Sequence, residues 1–135
     1  MLNLEPICAK WGHNMIRDNE GAEVKDQENT ITKALGVLTE SGLYAMCIFL
    51  LSCSKKEYGA FVLVDNLKLL WQEEGIGLIP QDIENGTSKL LRAVQNITDD
   101  FPKLVLARKI TEQALIFARY HAKAGVADVS KGRNA

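Results

Sequence analysis

The chain of 135 residues has only three cysteines, three prolines and two histidines, and each shortage closes off a class of protein. Cys8, Cys47 and Cys53 are odd in number and widely spaced, so they outline neither a disulfide framework nor the Cys-x-x-Cys pairs of a zinc site. Reduced thiols in a cytoplasmic protein are the simplest expectation. His13 and His121 lie 108 positions apart, and nothing in the sequence encourages a nucleophilic triad, which would need a serine or cysteine beside a base. The longest apolar run, Leu43 to Leu51, has nine residues, whereas a bilayer span needs about twenty. The N-terminus, Met1-Leu2-Asn3-Leu4-Glu5-Pro6, lacks the basic start and apolar stretch of a secretory signal.

Alternating strand patterns are nearly absent too, and apolar residues recur at three and four positions. The spacing predicts a first helix over about Leu4 to Arg17, with Ile7, Cys8, Trp11 and Met15 on one face and Gly12 weakening it. The polar stretch from Asp18 to Asn29 reads as a loop. Thr30 is placed to cap a second helix that runs to Glu40, where Ser41-Gly42 ends or bends it. A third helix, Leu43 to about Cys53, is apolar nearly all round and belongs at the centre of a bundle. Ser52 to Lys56 reads as a turn, and a fourth helix follows from Glu57 to Glu74. Gly75-Ile76-Gly77-Leu78-Ile79-Pro80 breaks it; this glycine pair has neither the third glycine nor the Lys-Ser/Thr of a phosphate loop. Thr87 or Ser88 would cap a fifth helix through Leu90, Leu91, Val94 and Ile97. Pro102 suits the first turn of a last helix from Lys103 to about Ala124, with Gly125 as its stop. On that helix Ala107, Ile110, Ala114, Phe117, Ala118 and His121 share one face.

The expected fold is therefore all-α: a single compact bundle of about five to six helices over residues 1–125, with a flexible tail at 126–135. His121, on the core-facing edge, reads as a packed or hydrogen-bonded structural histidine rather than a base. Cys47 and Cys53 read as buried rather than reactive. The acidic pairs Glu73-Glu74 and Asp99-Asp100 sit at helix ends, where solvated charge is ordinary. No catalytic residue, metal ligand, cofactor or small-molecule substrate is indicated, and an enzyme is not expected.

Charge is the informative feature. The formal net charge is only −1, yet residues 1–102 carry 9 Lys/Arg against 15 Asp/Glu, while residues 103–135 carry 7 against 2. Along the last helix Arg108 and Arg119 fall about 20° apart in angle and about 16 Å apart in height, with Lys123 about 40° further round. Lys103 and Lys109 supplement this basic line, and Lys55-Lys56 form a second cationic point in a turn. Such a line can follow a phosphate backbone, because arginine forks and lysine charges bind phosphate oxygens without reading bases. The same residues would equally make a solvated helix face with cations near its C-terminal end, where the helix dipole favours them.

Two stretches resemble a known family. Ser41-Gly42-Leu43-Tyr44-Ala45-Met46-Cys47-Ile48-Phe49-Leu50-Leu51-Ser52, followed shortly by Lys55, is similar to the Gly-Leu, Ala, Phe-Leu, Ser-Lys signature of the small α-helical subunit of type III-B (Cmr) CRISPR effector complexes. Leu106 to Ala124 resembles that family's final helix, where a Thr precedes an acidic-Ala-Leu step and aromatic and basic residues follow. Gln113 stands where an acid is usual, Tyr120 where the family commonly has Trp, and residues 75–86 resemble a longer linker. The resemblance implies a non-catalytic subunit of an RNA-guided antiviral defence complex. Copies would stack along the assembly beside other effector subunits and line the channel that holds the crRNA–target RNA duplex. Lys55, Lys56, Lys103, Arg108, Lys109, Arg119 and Lys123 would then be the RNA-binding residues. The alternative is a helical protein-interaction adaptor without nucleic acid.

Overall fold

In a computed structural model, which describes residues 3–17 and 23–134, with backbone alone at Arg17 and beyond Gly125, the described residues form six helices and contain no strand. They are α1 (Leu4–Arg17), α2 (Val24–Ser41), α3 (Leu43–Ser54), α4 (Tyr58–Gln72), α5 (Thr87–Thr98) and α6 (Phe101–Asn134). No described helix is long and apolar enough to cross a membrane.

The closest packing in the bundle is between α1 and α6, and Gly12 sets it. A Cβ at Gly12 would lie 2.6 Å from the Ala114 carbonyl oxygen, 2.9 Å from Phe117 Cβ and 3.0 Å from the Ala118 nitrogen. Two helices meet here almost backbone to backbone, which requires a missing side chain on one and alanines on the other. Above and below this point the Cys8 thiol donates to the Ile110 carbonyl and the His13 ring meets the His121 ring, so α1 and α6 run parallel. The glycine that weakens α1 as an isolated helix is the residue that docks it.

The other helices close round this pair. Trp11 Nε1 donates to Glu73 Oε2 at 2.6 Å, and Lys10 pairs with the same carboxylate while lying over the indole. These contacts fasten α1 to the end of α4. The buried Gln27 amide donates both to the Met15 carbonyl and to the Gly59 carbonyl, tying three helices together. Trp71, fully buried, donates its indole N–H to the Thr111 hydroxyl at 2.9 Å. The apolar α3 contributes Leu43, Met46, Cys47 and Leu50 to the same core.

Several boundaries differ from those expected: α4 ends at Gln72 rather than Glu74, and α5 is capped at Gly86, with Thr87 and Ser88 already inside the helix. α2 begins at Val24 rather than Thr30, which is buried inside the helix; the polar first turns are held by Gln27, a tertiary contact invisible to local pattern. α6 starts at Phe101, and Leu104 N–H closes on the Asp100 carbonyl. The backbone of α6 also continues past Gly125, which meets open space and has no positive φ. The side chains of the tail expected at 126–135 lie outside the described residues. The turn at Gly42 is as expected: its φ of 96 is a left-handed value that suits glycine, and its N–H donates to the Val37 and Leu38 carbonyls.

Two glycines on helices give opposite expectations. Gly12→Ala should destabilise the fold by about 1–3 kcal/mol through overpacking against backbone. Gly36, which faces open space in mid-helix, should stabilise it by about 0.5–1 kcal/mol when replaced by Ala. Urea unfolding of both variants checks the pair; an unchanged midpoint for Gly12→Ala would contradict the close approach.

Candidate nucleic-acid interface

Helix α6 presents its alanine-rich side to the core and its charged side to solvent. Lys109 and Lys123 face outward while Arg108 and Arg119 lie on the flank toward α2, the four spanning about 22 Å of helix; Arg119 is half-buried and the other three are exposed. Lys103 is exposed as well, but it lies about 140° round the helix from Arg108. It does not belong to the same edge. Lys55 and Lys56 are exposed in the turn between α3 and α4, a separate cationic point.

Arg108 has a structural task. One terminal guanidinium nitrogen donates to the Leu38 carbonyl at 3.1 Å, in the last turn of α2, a turn that contains no basic residue of its own. A cation from α6 thus serves the negative end of the α2 dipole. The planar fork has five N–H donors, so this bond leaves others directed to solvent. Lys55, Lys56, Lys103, Lys109, Arg119 and Lys123 form no ion pair with a described residue.

Glu112 was not singled out in the sequence, although spacing alone places it four residues from Arg108. It lies about 40° round from Arg108, between the angles of Arg119 and Lys123. It interrupts the basic edge midway, in a groove it lines with Val105, Arg108, Lys109 and Ile116. Arg119 lies on the α2 side of the helix, in a cleft shared with Glu40 and Glu112. Exposed apolar surface accompanies the charge: Phe101 is 74% exposed, Val105 51% and Tyr120 62%.

The groups weighed for catalysis are placed as follows. Cys8 and Cys47 are buried, and burial pushes their thiols up to about 11 and about 12. Cys53 is half-buried, and its thiol is held above the usual range by burial first and by Glu57 second, against the pull of Lys33 and Lys56. None is a ready thiolate at neutral pH. No group of three or more His, Cys, Asp or Glu side chains among the described residues is placed to hold a metal ion. His121 is not simply a packed core histidine: it is half-buried, and its ring centroid lies 4.7 Å from that of exposed His13. Burial, and then the neighbouring His13, lower its pKa below the ordinary 6.5.

No protein-family model, curated protein or solved structure matches the chain.

Two outcomes follow from this geometry. Arg108→Ala removes the cation at the end of α2 and should cost about 0.5–1 kcal/mol in urea unfolding. A lowered histidine pKa means that the unfolded chain takes up a proton the folded chain resists. The contribution is complete above 6.5, the ordinary value, and is lost as pH falls through the lower folded value. Between about pH 7.5 and about pH 5.5 the wild type should therefore lose more stability than His121→Gln. Equal losses would remove the histidine from the account.

Proposed function

We propose that this chain is a non-catalytic, RNA-binding small subunit of a Cmr-type CRISPR effector complex, a cytoplasmic ribonucleoprotein of antiviral defence. In this reading it packs beside other effector subunits and further copies of itself, and the outer edge of α6 helps to hold the crRNA–target RNA duplex. The single observation that carries the reading is the run of Arg108, Lys109, Arg119 and Lys123 along one helix, free of ion pairs with described residues. The helix belongs to a chain whose first 102 residues are net acidic. Phosphate contacts of this kind position a duplex, while guide pairing supplies sequence specificity. Tyr120, exposed beside Arg119, adds an aromatic face of the sort that accompanies cations at nucleic-acid surfaces. Lys55 and Lys56 would contribute only if the RNA extends to the α3–α4 turn, and Lys103 only if it wraps round α6.

The exposed Phe101 and Val105 favour a second reading, a helical adaptor whose α6 meets an acidic protein surface. Salt-dependent RNA binding separates the two. The purified chain should bind RNA without sequence preference, and affinity should fall steeply between about 50 mM and 200 mM salt. Combined Lys109→Glu, Arg119→Glu and Lys123→Glu should weaken binding across all sequences and reduce the salt slope by about 1 for each cation removed. Lys103→Glu should change it far less. Unchanged RNA affinity in the triple variant, with its helical content intact, would overturn the reading.

A further inference from the structure

The two histidines of the chain are 108 positions apart in sequence, and the parallel packing of α1 on α6 brings their rings to a centroid separation of 4.7 Å. His13 sits directly after Gly12, whose missing side chain permits the approach; His121 is one turn beyond Phe117 and Ala118, which Gly12 touches. Neither ring is hydrogen-bonded to a described residue. Their nitrogens are therefore not committed to holding the fold.

The relative orientation matters as much as the distance. A metal ion binds along the lone pair of an imidazole nitrogen, in the plane of the ring, at about 2.0–2.1 Å. Rings stacked face to face keep their lone pairs in parallel planes that do not meet. The rings of His13 and His121 meet edge-on at 66°, so they are not held in a stack that would keep their lone pairs in parallel planes. His13 is exposed, which gives an ion and its remaining waters access from solvent.

We propose that His13 and His121 form a two-imidazole binding site for a borderline divalent transition metal ion such as zinc, nickel or copper, bridging α1 and α6. Imidazole nitrogen suits these ions, whereas magnesium and calcium require oxygen ligands. With two ligands from the protein, the other positions belong to water or to a ligand supplied by a partner. An ion on both rings binds the folded chain and not the unfolded one, so it stabilises the fold by linkage. It would clamp the first helix to the last without touching the basic edge, and the inference stands independently of the RNA reading.

The test is a titration of the full-length chain with nickel chloride and zinc sulfate, followed by calorimetry and thermal unfolding. One ion should bind per chain and raise the unfolding temperature, and EDTA should reverse the rise. Loss of an outer hydrogen-bond partner of a ligating histidine already costs about 10–100-fold, so His13→Ala and His121→Gln should each weaken binding at least about tenfold. Cys53→Ser should leave it unchanged. Wild-type affinity in His13→Ala, an exposed position where folding is not at risk, would overturn the site, as would binding abolished by Cys53→Ser, which would assign the ion to the thiol.

Discussion

Where Gly12 crosses Ala114 and Ala118, the first and last helices have almost nothing between their backbones, and the remaining geometry follows from that approach. It places the Cys8 thiol on the Ile110 carbonyl and the His13 ring on His121. It also positions α1 so that Trp11 reaches Glu73 at the end of α4. A helix pair this close gains dense dispersion contact, which interiors packed like organic crystals depend on. It has no slack, because the atoms facing Gly12 are backbone and Cβ rather than the flexible end of a side chain. The small residues of α6 face inward here, so the long charged ones are left to face solvent.

Two of the four cations on this edge are held in place. Arg108 is held at one end by the Leu38 carbonyl, and Arg119 is half-buried in the cleft between α2 and α6. Side chains held in this way lose little freedom on meeting phosphate, whereas exposed lysines such as Lys55, Lys56, Lys109 and Lys123 must be ordered at the moment of binding. Glu112 works against anion binding at the centre of the edge. Phosphates following this helix would therefore be gripped at two points, Arg108 with Lys109 and Arg119 with Lys123, rather than along a continuous strip.

Much of the fold was legible in the sequence, for reasons that particular residues make plain. The unbroken three-and-four spacing marked α1, α4, α5 and α6, and the all-apolar α3 declared itself a core helix. The start of α2 was not legible, because Val24 to Asn29 is polar and its helical state depends on Gln27 reaching two carbonyls from other segments. Gly125 was read as a stop by composition, yet a glycine without a left-handed φ does not end a helix. Angle alone groups Arg108, Arg119 and Lys123 on one side of the helix; the same arithmetic, applied to Lys103 and Glu112, removes the first and adds the second. The histidine pair lay beyond any local pattern, since only the parallel course of α1 and α6 joins residues so far apart.

We propose that this bundle holds RNA on the charged edge of its last helix within a larger assembly. Isolation of the tagged chain from its native host, with sequencing of any nucleic acid and identification of the proteins retained, tests it most directly. The account predicts a guide-length RNA together with large effector subunits. Recovery of the chain with a protein partner and no nucleic acid would contradict it.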